Sequence, residues 1–121
     1  MPFRLFTKRM KEDVYIRFNE SDYEVLILVG EKPLNPENDN TDVTVKFVSG
    51  ESYSATFFTL ENIKSLFDKN KQTGECDSGI YFYCVDMIIV EKLSPEIILQ
   101  TVRNLVQNGE LKNAFSSPET I

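Results

Sequence analysis

The residue with the clearest chemical potential is Asp86, a carboxylate inside the apolar run from Ile80 to Glu91. A carboxylate among apolar side chains is costly unless it is hydrogen-bonded or neutralised, and such groups sometimes work as general acids or bases. A second carboxylate for that chemistry would come from Glu24, Asp77 or Glu91, and the spacing favours none of them. The alternative is structural: Asp86 marks a β-bulge or accepts hydrogen bonds from a helix N-terminus or a tyrosine hydroxyl.

The composition excludes several kinds of catalytic site. The chain has no histidine, so Ser-His-Asp and Cys-His arrangements and histidine-ligated zinc are impossible. The two cysteines, Cys76 and Cys84, are expected to be separate thiols rather than a bridge, with Cys84 a small core residue. The acids that flank Cys76 make it a poor nucleophile, because negative neighbours disfavour the thiolate. We therefore expect no catalytic residue, no metal and no cofactor, and predict that the protein is not an enzyme.

The charge of the chain is concentrated in one segment. The formal net charge is -6, and residues 21–45 carry six acids against the single base Lys32. An acidic protein binds nucleic acids poorly, but its charge can attract a basic protein partner. The predicted partner-binding residues are these six acids: Asp22, Glu24, Glu31, Glu37, Asp39 and Asp42. The alternative is that they only keep a surface loop solvated.

A length of 121 residues predicts one domain spanning the whole chain. Residues 1–12 have basic residues with apolar residues between them, which predicts an arm that packs on the body or binds a partner. The chain shows neither a secretory signal nor an apolar run long enough to cross a bilayer, so we expect a cytoplasmic protein that does not contact membranes. The oligomeric state is not predictable from these patterns.

Apolar alternation predicts four strands in the first half of the chain. The continuous run in the second strand predicts a central position covered on both faces. Residues 30–42 form an acidic loop rich in proline and asparagine. Ser49–Gly50 is predicted as a two-residue hairpin turn. The predicted strands are 14–18, 23–29, 42–48 and 52–58.

Two helices and one further strand are predicted after residue 58. Thr59 and Ser94 are typical helix N-caps, and Gly74 and Gly109 are typical stops. The most apolar segment, 80–91, is expected to be a central strand. The remaining predictions are a last helical turn at 110–115 and a frayed tail at 116–121. This order indicates an α+β fold with one mainly antiparallel or mixed sheet of about five strands and two helices packed mainly on one face.

The stretch from Val45 to Phe115 resembles small single-domain bacterial proteins of uncharacterised or toxin-immunity type. The similarity is carried by the segments Tyr53-Ser-Ala-Thr-Phe-Phe-Thr59, Leu60-Glu-Asn-Ile63, Thr73-Gly-Glu-Cys76, Asp86-Met-Ile-Ile-Val-Glu91 and Asn108-Gly109. The resemblance implies a protein that binds and blocks a secreted toxin domain, often a nuclease. It supplies no catalytic residues to transfer.

Three hypotheses for function follow from these features. The first is an immunity-type protein whose acidic surface occludes the active site of a basic toxin domain. The second is a small enzyme that uses Asp86 with another carboxylate, and the third is a regulatory protein-interaction module. A toxin gene next to this gene would favour the first, whereas an operon of metabolic genes would favour the second.

Overall fold

A computed structural model describes residues 14–117 as an α+β fold with one five-stranded mixed sheet, as predicted. The predicted N-terminal arm, 1–12, and the last residues of the predicted tail, 118–121, lie outside the described residues. The strands are β1 (Val14–Asn19), β2 (Tyr23–Val29), β3 (Asn40–Phe47), β4 (Ser52–Thr59) and β5 (Met87–Val90). The helices are α1 (Leu60–Thr73), α2 (Glu75–Gly79), α3 (Pro95–Gln107) and α4 (Leu111–Ala114).

The strands lie in the sheet in the order in which they occur in the chain, from β1 to β5. The first four are antiparallel neighbours, whereas β5 pairs in parallel with β4. A parallel pair needs a crossover connection, and α1 and α2 provide it. The prediction that β2 lies inside the sheet is confirmed, because it pairs on both sides.

The hairpin of β3 and β4 is confirmed, with Val43 opposite Ala55. The predicted two-residue turn is wrong. Phe47 N–H donates to the Glu51 carbonyl (2.8 Å), so three residues, 48–50, connect the strands. Gly50 has a φ of +104°, which is typical of a three-residue hairpin that ends in a left-handed glycine.

The hydrophobic core lies between one face of the sheet and α3. Ile98 and Val102 of α3 are fully buried, and Leu111 of α4 and Phe115 extend the same core. Within residues 14–117 this cluster takes no residue from α1, so the expected packing of two helices on one face is not confirmed. The sheet contributes alternate residues of its inner strands: Val25, Ile27, Val43, Val45, Tyr53, Ala55 and Phe57.

The predicted helix ends are confirmed by their capping geometry. Thr59 accepts a hydrogen bond from Asn62 N–H at 3.2 Å, and Ser94 accepts one from Ile97 N–H at 3.2 Å. Gly74 ends α1 in the left-handed conformation. The short last helix, α4, lies within the predicted helical turn.

The connection that follows Gly74 has an unusual backbone. Three consecutive residues, Cys76, Asp77 and Ser78, have left-handed dihedral angles, and Gly79 continues them with a φ of +82°. For residues with a side chain, this conformation costs roughly 1–2 kcal/mol each. The turn packs closely on α1: a Cβ added to Gly79 would lie 2.8 Å from the Phe67 carbonyl oxygen and 2.9 Å from Lys71 N.

The segment 80–91 is not the central strand that its composition predicts. Only Met87–Val90 is a strand, and it lies at the edge of the sheet. Phe82 packs against Phe58, with ring centroids 5.5 Å apart, on the sheet face opposite Phe57. The apolar run is therefore a connection that passes along the sheet. Cys84 is only partly buried and is not the predicted core residue, although both cysteines are free thiols as expected.

The predicted frayed tail is also wrong at its first residue. Ser116 exchanges two backbone hydrogen bonds with Ser54 of β4, at 2.8 and 3.0 Å. Phe115, immediately before it, is 3% exposed, and its ring lies 6.0 Å from that of Phe57. The chain after α4 is therefore fixed to both β4 and the core.

Candidate functional site: an acidic groove on the sheet

The sheet face opposite the core has a polar row on β3 and β4. Because successive strand residues point to opposite faces of the sheet, Asp42 and Thr44 lie on the face away from the buried Val43 and Val45. Each has a polar cross-strand partner. The Thr56 hydroxyl donates to the Asp42 carboxylate at 2.8 Å, and the Thr44 and Ser54 hydroxyls are 3.1 Å apart. These pairs leave carboxylate and hydroxyl oxygens on this face of the sheet.

Asp86 lies beside this row, immediately before β5 rather than inside a strand. Its φ is +56°, and its carbonyl accepts a hydrogen bond from Thr56 N–H at 3.0 Å. Its carboxylate accepts a hydrogen bond from the Ser116 hydroxyl. The structural alternative correctly anticipated hydrogen bonds to this carboxylate, but its donor is a serine in the tail. Asp and Asn are among the few residues that tolerate this backbone conformation.

A cavity of about 480 Å³ brings Asp86 and Asp42 together. None of the expected second carboxylates, Glu24, Asp77 and Glu91, lines this cavity, so that expectation is wrong. Among residues 14–117, no lysine or arginine contributes to the lining. It consists of Tyr15, Leu28, Asp42, Thr44, Ser54, Ala55, Thr56, Val85, Asp86, Ser116 and Ser117.

A second cavity, of about 670 Å³, lies between β3 and the loop that precedes it. It shares Leu28 and Asp42 with the first, so the two cavities adjoin, and we call the pair the acidic groove. The second cavity is lined by Leu28, Gly30, Glu31, Lys32, Pro33, Leu34, Asn35, Asp39, Asn40, Thr41 and Asp42. In the part of the chain that the structure describes, the groove lining thus has four acids, Glu31, Asp39, Asp42 and Asp86, and one cation, Lys32.

Residues 30–39, which form one wall of the groove, have no regular structure, as predicted, but the predicted loop end at residue 42 is wrong because β3 begins at Asn40. The loop is held by its own side chains. The Asp39 carboxylate accepts hydrogen bonds from the N–H groups of Asn35 and Asn40, at 3.0 and 2.9 Å. Asn38 then donates to Ser65 of α1 at 3.1 Å. Asp39 therefore shapes the loop as well as contributing charge.

The six acids predicted to bind a partner do not form a single patch. Glu31, Asp39 and Asp42 line the groove. Asp22 and Glu24 lie at the other end of β2, which at seven residues is about 20 Å long. Glu24 forms a salt bridge with Arg17 at 2.5 Å.

The sixth acid, Glu37, forms a salt bridge with Lys92 at 2.8 Å, and its hydrogen bond raises the pKa of the lysine. Arg103 of α3 forms a bidentate ion pair with Glu20, with hydrogen bonds of 2.9 and 3.1 Å. The sequence does not indicate this pair. The Arg103 hydrogen bond lowers the pKa of Glu20. These partners are 55 and 83 residues apart in the chain, so no local pattern could pair them.

Comparison with protein-family models, with curated protein sequences and with solved structures finds no match. Within residues 14–117, no group of three or more Cys, Asp or Glu side chains is arranged to hold a metal ion. No helix in the same part of the chain has the length and apolarity needed to cross a membrane.

We expect Asp86→Ala to lower the free energy of unfolding by about 1–3 kcal/mol, because it removes the acceptor for Ser116 and places a Cβ-bearing residue with no local hydrogen bond at positive φ. Asp86→Asn should cost much less, since asparagine tolerates this backbone and its amide oxygen still accepts. Urea denaturation of both variants measures the difference. Equal stability of wild type and Asp86→Ala would contradict the structural role.

Proposed function

We propose that this chain is an immunity-type binding protein that neutralises a basic toxin domain, with nucleases among the candidates, by occluding its active site. The observation that carries the proposal is the acidic groove, whose described lining has four acids and one cation. Such a depression suits a partner's arginine or lysine side chains, because carboxylate and hydroxyl oxygens accept charge-assisted hydrogen bonds from them. Asp22, Glu24 and Glu37 lie outside the groove and are not part of the proposed contact.

An exposed apolar strip borders the groove and supports binding to a protein rather than to a small cation. Val85 lines the groove and is 58% exposed, and Tyr83 and Ile80, earlier in the same connection, are 71% and 73% exposed. Residues 74–91 contain four acids and no base. Protein interfaces commonly combine aromatic anchors with a polar rim, and this surface has both.

The role proposed for the carboxylates is recognition and not catalysis. Asp42 and Asp86 each accept a hydrogen bond from a neighbouring hydroxyl, on Thr56 and Ser116 respectively. Such bonds hold the carboxylates in place for a charged partner. Acidic residues arranged in this way also raise the association rate of a basic protein, and the increase falls with ionic strength.

The test uses two nine-residue peptides, one with three arginines and one with citrulline at the same positions. We expect the wild-type protein to bind the arginine peptide more tightly, and Asp42→Asn/Asp86→Asn to weaken that binding on the order of tenfold at low salt. Asn can still accept the hydrogen bonds of both positions, so the folded structure should be retained. Fluorescence anisotropy at low and high salt measures the affinities.

The matched control is Asp68→Asn/Glu110→Gln, which removes two charges from exposed positions outside the groove. This variant should change the affinity less than twofold. An equal loss in both double variants would show that only net charge matters and would contradict the groove. Neutralisation is tested by co-expressing the protein with the product of the adjacent gene: the wild type should restore host growth, and the groove variant should do so less well.

A further inference from the structure

A third cavity lies on the other side of the loop 30–39 that walls the groove. Of the six acids predicted to bind a partner, only Glu31 lines it. Its volume is about 430 Å³, within the range of ligand pockets. In contrast to the groove, most of its lining is apolar. We call it the apolar cavity; it is lined by Ile16, Val29, Gly30, Glu31, Lys32, Pro33, Leu34, Pro36, Leu93, Ser94 and Pro95.

The walls of the apolar cavity are fixed by the fold. Leu93 is completely buried and Val29 is 8% exposed, so one side of the cavity is the core itself. The Pro36 carbonyl accepts a hydrogen bond from Leu93 N–H at 2.9 Å, which joins the loop to the residues before α3. Ser94 caps α3 with its hydroxyl. A preformed cavity of this kind loses little conformational entropy when it is filled.

The apolar cavity and the acidic groove share five residues, 30–34. A protein segment bound in the groove therefore needs only to cross this short stretch to reach the cavity. Within the described part of the chain, Lys32, the cation common to both cavities, forms no salt bridge.

We propose that the apolar cavity receives one large apolar side chain, of the size of leucine, phenylalanine or tryptophan, from the basic partner that occupies the groove. This inference rests on the proposed function and specifies the chemistry of the partner: an apolar anchor next to arginine or lysine. The two cavities lie side by side on this shared five-residue wall, and this adjacency is the argument for a single occupant. Anchors buried in such pockets commonly dominate binding energy, while the surrounding charges set orientation and association rate.

The experiment uses the arginine peptide in three forms, with tryptophan, leucine or serine at one position. We expect the wild-type protein to bind the tryptophan or leucine form about tenfold more tightly than the serine form, which is the gain expected for burying such a side chain. Ile16→Trp, on a wall that belongs to the apolar cavity and not to the groove, fills the cavity and should remove this preference while leaving the affinity for the serine form within twofold. Leu60→Trp, at a position 69% exposed and outside the cavity, is the matched control and should leave the preference intact.

Methyl chemical shifts of Ile16, Val29 and Leu93 report directly on occupancy. Equal affinity for all three peptides would overturn the anchor while leaving the proposed function in place. Failure of every arginine peptide to bind would overturn both. Free indole should shift the same methyl groups, and a tryptophan peptide that shifts none of them would overturn the inference.

Discussion

Replacing Gly79 by alanine should lower the free energy of unfolding by about 3 kcal/mol, the largest effect expected from adding a single methyl group to this chain. Two costs combine. The residue has a φ of +82°, where an L side chain is strained, and its new Cβ would lie 2.8 and 2.9 Å from backbone atoms of Phe67 and Lys71. Those atoms belong to α1, so the turn must move away from the helix. Urea or guanidinium denaturation measures the loss.

Gly74→Ala is the matched control, because it isolates the conformational cost. Gly74 has nearly the same φ, +86°, but a Cβ there would meet no atom within 4 Å. We expect it to cost about 1 kcal/mol, the value typical of a left-handed residue with a side chain. If both variants lost the same free energy, the close approach of residue 79 to α1 would be contradicted.

The second large effect is expected at Phe115, whose replacement by alanine should cost about 3–5 kcal/mol. Its side chain is 3% exposed, and its ring makes an edge contact with Phe57, which is fully buried. Removing it leaves a cavity between the sheet and the end of the chain. Thermal and denaturant unfolding should both show the loss.

Phe82→Ala provides the comparison, because Phe82 also makes an edge contact with another ring but lies in the partly exposed connection before β5. We expect it to cost about 1–2 kcal/mol. A central strand at 80–91 would require the opposite order, with Phe82 costing as much as Phe115 or more. The two variants together therefore measure which part of the second half of the chain is core.

The parts of the fold that could be predicted from sequence are those set by local chemistry. The caps at Thr59 and Ser94 depend on a side chain and an N–H group three residues later, so the sequence contains the whole interaction. The β3–β4 hairpin is similarly local. The segment 80–91 was misassigned because an apolar run has the same pattern in a central strand and in a connection, and only the sheet order separates them.

The candidate site could be predicted in part. Alternation along β3 places Asp42 and Thr44 on the face opposite the core, and this is visible in the sequence. The meeting of Asp42 with Asp86 was not predictable, because it depends on the parallel pairing of β4 with β5 and on Ser116 at the end of the chain. The six acids do not form a single surface. They are close in sequence, but β2 lies between them and separates Asp22 and Glu24 from the acids of the groove.

The order of the strands also bears on how the chain folds as it is synthesised. Strands β1 to β4 pair only with their neighbours in sequence, so these contacts close short loops and form without waiting for the rest of the chain. The helix that covers their apolar face, α3, begins only at Pro95. Val25, Ile27, Val43 and Val45 therefore remain accessible to chaperones, and to other nascent chains, until α3 has emerged from the ribosome.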